Sequence, residues 1–181
     1  SGSFFEGPEW NQKICAQLTE ITGAPTVTRA CAMAACLLPG GHKKVAVVTP
    51  YVELTNERLK DFLRAYGIRV TNLGTSDMVD MFDHAKIQPE EIYRKVREAD
   101  SEECEALFVA CTQLRAMEVL DMLERDLGKP VYSAIQATAW EAYAAMGVDP
   151  KINDCGSLLR ALSAPGALKA KAAAQPLRKS A

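Results

Sequence analysis

The 181-residue sequence predicts an α/β protein built on a parallel sheet, and three observations predict it. Short β-branched runs alternate with helical patterns of ten or more residues. The runs are apolar throughout rather than alternating, as strands covered on both faces are. Glycine or proline closes almost every segment.

The first such run is Val45-Ala46-Val47-Val48-Thr49, preceded by His42-Lys43-Lys44. Leu59, Phe62, Leu63 and Tyr66 then fall at i, i+3, i+4 and i+7, one face of a helix that Gly67 ends. Ile68 to Thr71 makes a second, shorter strand, and Asn72 to Ile87 reads as irregular. Gln88-Pro89-Glu90-Glu91 opens a helix, since proline suits the first turn and acids suit the dipole. Glu90 with Arg94 and Glu91 with Lys95 are expected to pair at i, i+4 on its wet face. Ala106 to Ala110 is the third strand, ending at Cys111-Thr112-Gln113. A helix carrying Met117, Leu120, Leu123 and Leu127 is expected from about Leu114 to Gly128. Pro130 to Ser133 is the fourth strand, and Gln136 to Met146 a helix closed by Gly147. Residues 44–135 thus form a four-stranded lobe with right-handed crossovers.

The flanks read differently. Trp10, Ile14, Leu18 and Ile21 mark a helix, Pro25 to Thr28 a strand and Ala30 to Leu38 a second helix. That strand needs a second sheet, for which the chain has too few strands, so residues 1–43 are the remainder of another lobe. Residues 136–163 return to it, and the Ala/Lys-rich stretch 164–181 is expected to be disordered.

Composition excludes several function classes. A net charge of −2 and a pI near 5.8 leave no basic stripe for nucleic acid. No apolar run approaches the roughly 20 residues that span a bilayer, so a cytoplasmic protein without membrane contact is expected. Cys15, Cys31, Cys36, Cys104, Cys111 and Cys155 contain no C-x-x-C pair, and His42 and His84 have no metal-ligand spacing to them. A Cys/His system is not supported, and His84 reads as a solvated residue of the irregular stretch.

In an open parallel sheet the ligand lies beyond the carboxyl ends of the strands, where strand order reverses. The first and third strands flank that point. They carry Thr49-Pro50-Tyr51 and Cys111-Thr112-Gln113, each ahead of a helix whose amino end would attract a carboxylate. The same end would favour thiolate over thiol at Cys111.

Several segments are recognisable. Val45 to Tyr51, then Thr55-Asn56-Glu57-Arg58-Leu59, resembles the middle of maleate cis-trans isomerases and arylmalonate decarboxylases, members of the aspartate/glutamate racemase superfamily. Phe108 to Arg115 is similar to that superfamily's second cysteine motif. Gly128 to Val131 and Ile135 to Trp140 resemble the strand and helix that follow it. Ser1-Gly2-Ser3-Phe4-Phe5 resembles the end of a Cys-Thr-Ser-Gly-Ser loop. The resemblance implies two Rossmann-like lobes with parallel four-stranded sheets, the amino-terminal one incomplete here because its strands and first thiol would lie ahead of Ser1. It implies Cys111 as the catalytic thiol of the second lobe and Tyr51 as a donor to a substrate carboxylate. Ser1, Gly2, Ser3, Thr112 and Gln113 are implied to bind the same small carboxylate. No metal or organic cofactor is implied. Where the isomerases often follow Ser-Asp with Asn, this chain has Ser76-Asp77-Met78.

The function expected is isomerisation of a small dicarboxylate by cysteine chemistry. Amino-acid racemisation and arylmalonate-type decarboxylation are the alternatives within the superfamily, and a non-catalytic remnant is the alternative outside it. An incomplete lobe would leave an apolar edge to cover, so a homo-oligomer is expected.

Overall fold

The computed structural model describes residues 2–149 and 151–160. Ser1 and the stretch 164–181 expected to be disordered lie outside the described residues.

The elements run α1 (Gly2–Phe5), α2 (Pro8–Thr22), α3 (Arg29–Leu37), β1 (Lys44–Thr49), α4 (Glu53–Ala65), β2 (Arg69–Thr75), α5 (Pro89–Ala99), β3 (Ala106–Val109), α6 (Leu120–Leu127), β4 (Val131–Ser133), α7 (Ala134–Met146) and α8 (Ser157–Arg160). The strands form one parallel sheet of order β2-β1-β3-β4. The chain therefore steps outward from β1 to β2, then reverses across β1 to β3. Right-handed crossovers on opposite sides of a reversal place α4 and α5 on opposite faces of the sheet.

The central strands are buried because both faces are covered. Val45, Ala46, Val47, Ala106 and Val109 are fully shielded, and Leu59, Phe62, Leu63, Ile92, Val96, Leu120 and Leu123 pack over them. Gly67, Gly128 and Gly147 follow α4, α6 and α7 at φ of 75°, 65° and 69°, a left-handed turn that a Cβ would resist. β2 is an edge strand and runs to Thr75, four residues beyond the expected stretch. It slips register between Val45 and Ala46 of β1, leaving Thr71 as the extra residue, and the Thr71 hydroxyl donates to the Val45 carbonyl at 3.2 Å.

Several expectations are corrected. Pro25 to Thr28 is extended but pairs with no strand. Thr28 instead caps α3, its hydroxyl accepting from the Cys31 N–H at 3.2 Å and donating to Asn11 at 2.9 Å. The helix it opens, α3, packs on α7. The segment after Cys111 does not continue into a helix at Leu114. A turn closes from the Leu114 N–H to the Cys111 carbonyl at 3.4 Å, a 3-10 turn spans Ala116–Glu118, and α6 starts only at Leu120. Burial of Leu114 and Ala116 against the core holds that turn in place. On α5, Arg94 reaches forward to Glu98 and Lys95 donates to the Thr75 carbonyl of β2, so the expected pairs to Glu90 and Glu91 give way to these.

Candidate active site

β1 and β3 lie side by side at the strand reversal, and their carboxyl ends bring Tyr51 and Cys111 to one cavity with Ser3 and Arg29. The cavity encloses about 20 Å³, room for roughly one water-sized group. Apolar side chains, Phe4, Met33 and Phe108 among them, form the rest of its wall.

Cys111 adopts φ of 99°, a region that side-chain-bearing residues avoid and that costs about 1–3 kcal/mol where it is enforced. The enforcement is visible. The Ala110 N–H still bonds the Val48 carbonyl at 2.8 Å, so the chain leaves the sheet only at Cys111 and must turn at once to bury Leu114. Cys111 is buried, at 6% exposure, yet lines the cavity.

Tyr51 is held by a buried polar network at the end of β1. The Thr49 hydroxyl donates to Asn56 Oδ1 at 2.6 Å, Asn56 Nδ2 donates to the Tyr51 carbonyl at 2.8 Å, and the Thr75 hydroxyl donates to the same carbonyl at 2.7 Å. Burial pushes the Tyr51 phenol well above the usual tyrosine range, Cys111 beside it pushes the same way, and Arg29 opposes them. Tyr51 therefore stays an O–H donor at neutral pH.

Ser3 sits in α1, and its Oγ accepts from the Ala30 N–H at 3.2 Å. Its hydroxyl proton is thereby left to point elsewhere, and Ser3 lines the cavity. Gly2 is exposed on the first turn of α1 and does not line it. Ser1 lies outside the described residues. Thr112 accepts at its hydroxyl from Arg29 Nη1 at 3.1 Å. Gln113 is turned sideways. Its Nε2 donates to the Met81 carbonyl at 3.1 Å, which aims Oε1 at Cys111 Sγ, 3.7 Å away.

The structure corrects the reading of His84. It is buried, at 6% exposure, with Nδ1 3.3 Å from Gln113 Oε1 and 3.9 Å from Cys111 Sγ. Its ring meets Tyr51 edge-on at 6.0 Å. The loop that carries it is pinned to β1, through the Ser76 N–H on the Thr49 carbonyl at 3.0 Å and the Met78 N–H on the Pro50 carbonyl at 2.8 Å. A 3-10 helix at Met81–Lys86, capped by Asp80 on the Phe82 N–H, then turns His84 and Ile87 inward together. That i, i+3 pairing of His84 with an apolar residue behind an Asp cap is the signal in the sequence that points to it. Arg29 carried no such signal, for it follows a segment that reads as a strand. Among the described residues no three His, Cys, Asp or Glu side chains are grouped to hold a metal ion.

Residues 1–159 match the family model described as arylmalonate decarboxylase. The chain belongs to that family. Its curated relatives include a maleate isomerase of Alcaligenes faecalis, 26% identical over 136 residues, and an arylmalonate decarboxylase of Bordetella bronchiseptica, 27% identical over 143. These alignments take in 75% and 77% of this chain but 54% and 59% of the two relatives, so the chain spans little more than half their length. Among solved structures, the maleate isomerase Iso of Pseudomonas putida S16 with maleate superposes at a TM-score of 0.82 and 26% identity, covering 86% of this chain and 64% of that one. A structure of arylmalonate decarboxylase gives 0.80 at 26% identity over 87% of this chain and 70% of its own. The α/β fold with a parallel four-stranded sheet is thus the fold of both kinds of enzyme in this family.

Proposed function

We propose that the protein isomerises a small cis-dicarboxylate by cysteine chemistry, as its relatives named maleate isomerase do. The observation that carries this reading is Cys111, held at φ of 99° at the strand reversal with Tyr51 on the same cavity. In this reading the Cys111 sulfur adds to one carbon of the substrate's double bond, and charge collects on the carboxylate of the neighbouring carbon until that carbon takes the thiol proton. The bond between them, now single, rotates, and loss of the sulfur and the proton restores the double bond in the trans form. The charge that develops on that carboxylate is met by the Tyr51 phenol and the Ser3 hydroxyl, donors fixed before the reaction starts. Gln113 and His84 orient the thiol, and Thr112 acts through Arg29. The role implied for Ser1 and Gly2 in holding the carboxylate stays part of the proposal. The reaction is proposed to run without metal or organic cofactor.

A second reading, decarboxylation of an arylmalonate, is favoured by the family match over residues 1–159. There the same thiol delivers a proton to the carbanion that loss of carbon dioxide leaves. The two readings separate directly. Incubated with maleate, the protein is expected to form fumarate, followed by proton NMR, at a rate that EDTA leaves unchanged. Release of carbon dioxide from phenylmalonate with maleate untouched would establish decarboxylation instead. No turnover of either acid, or a rate restored after EDTA only by added metal, would reject the isomerase reading.

We further infer a cytoplasmic location and self-association. All six cysteines are free thiols, as a reducing compartment keeps them. Among the described residues no helix is long and apolar enough to cross a membrane.

A further inference from the structure

Among the described residues, Arg29 is the one charged side chain on the wall of the Cys111 cavity. It is the first residue of α3, and its exposed guanidinium reaches over to Thr112, the neighbour of Cys111. None of the ion pairs formed among the described residues involves it. The backbone donors beside it are taken: the Ala30 N–H by Ser3, the Cys31 N–H by the Thr28 hydroxyl and the Ala32 N–H by the Thr28 carbonyl. An anion arriving here therefore meets the guanidinium and not the end of the helix.

A surface arginine tied to a neighbouring hydroxyl would explain the Thr112 contact alone. It does not explain the rest. A guanidinium offers five N–H donors in a planar fork, and Thr112 uses one. The charge is also felt inside the site, where Arg29 opposes the upward push on the Tyr51 phenol. Arg29 lines the same cavity as Cys111, Tyr51 and Ser3, so it is the charged group that the far end of an acid bound there would meet.

We propose that Arg29 holds the second carboxylate of the substrate, the one remote from the carbon at which Cys111 acts, and so selects dicarboxylic over monocarboxylic acids. The proposal rests on the reading that Cys111 acts on a small carboxylic acid, and it makes Arg29 a specificity-determining residue. A carboxylate fits the guanidinium side-on through two parallel N–H···O bonds, while Thr112 keeps the fork in plane.

The test uses two alkylating reagents with the same reactive carbon and different charge. Iodoacetate is an anion and iodoacetamide is neutral, and both transfer their carbon to the Cys111 sulfur with loss of iodide. Arg29→Gln is expected to lower the iodoacetate rate at Cys111 several-fold while the iodoacetamide rate holds. Arg29→Lys, which keeps the charge, should retain most of the iodoacetate rate. By calorimetry succinate should bind about tenfold more weakly, or worse, to Arg29→Gln than to the native chain, and butyrate should show no such difference. Calorimetry decides the matter even where neither reagent reaches Cys111. An unchanged reagent ratio together with unchanged succinate affinity overturns the proposal. So do Lys and Gln variants that lose both alkylation rates alike, since that marks Arg29 as a structural tie. A protein that binds succinate through Arg29 yet never isomerises maleate refutes the proposed reaction and leaves this inference standing.

Discussion

Six thiols share this chain, and Cys111 is set apart by its place on the cavity wall rather than by access to solvent. Cys111 is 6% exposed, whereas Cys15, Cys31 and Cys155 are partly open to solvent. Burial nonetheless pushes the Cys15, Cys36 and Cys155 thiols up, away from the reactive thiolate. Cys104 is buried beside Asp100, to which its sulfur donates at 3.2 Å. A limiting dose of iodoacetamide at neutral pH is therefore expected to modify Cys111 first, read by peptide mass spectrometry, and succinate should slow it. Modification that follows solvent exposure, with Cys31 ahead, would show that the setting of Cys111 confers nothing. Cys111→Ala should fold and lose all turnover, since it removes one sulfur and relaxes no packing of consequence. His84→Phe keeps the shape of the ring but strips the two ring nitrogens that face Gln113 Oε1 and the Met78 carbonyl. It should slow the Cys111 reaction several-fold and cost about 1–3 kcal/mol in stability, measured by urea unfolding. An alkylation rate identical to the native one would make His84 mere filling.

Between β1 and α4 the chain spends buried polar groups on placing one loop. Thr49 and Asn56 are 1% and 2% exposed, and together they fix the carbonyl of Tyr51. Asn56→Ala leaves the Thr49 hydroxyl without its acceptor and the Tyr51 carbonyl with one donor fewer. A loss of about 2–3 kcal/mol is expected, together with a larger fall in turnover than in succinate affinity, because Tyr51 would be misplaced only where it meets developing charge. A variant as stable and active as the native chain would show that Thr75 suffices to hold the loop. The same stretch shows why the sequence was legible in one place and not in another. Val45 to Val48 and Ala106 to Val109 are apolar runs whose burial is local to the run, and their period announces them. Leu59, Phe62 and Leu63 likewise sit at helical spacing on a single face. β2 beyond Thr71 has no such run, because Asn72, Leu73 and Gly74 on an edge strand answer to β1 alone. Pro25 to Thr28 has strand composition but no neighbour to pair with, and composition does not report neighbours. His84, Arg29 and Thr112 converge from separate segments, through a loop pinned to β1 and a turn enforced at Cys111, and that convergence is set by the packed sheet.

Among the described residues the sheet is well covered, and α2 is not. Asn11 anchors it, fully buried, through Thr28 and Cys31. Three of the four apolar positions that mark the helix in the sequence face outward instead: Trp10 and Leu18 are each 40% exposed and Ile21 is 79% exposed, while Ile14 is half-buried. Trp10, Leu18 and Ile21 recur on one side of the helix, so they form a stripe rather than scattered points. Fully burying one such aliphatic side chain is worth about 1.5–3 kcal/mol. Two copies of the stripe meeting across a two-fold axis would remove six large side chains from water. Self-association through α2 is therefore expected at micromolar concentration, measured by sedimentation equilibrium. The double variant Leu18→Glu, Ile21→Glu should sediment as a monomer under the same conditions. Both positions lie beyond the Asn11 anchor, so its circular dichroism and its Cys111 alkylation rate should match the native chain. A native protein that sediments as a monomer throughout the micromolar range would reject the association. An assembly that survives the double variant would move the contact to another face.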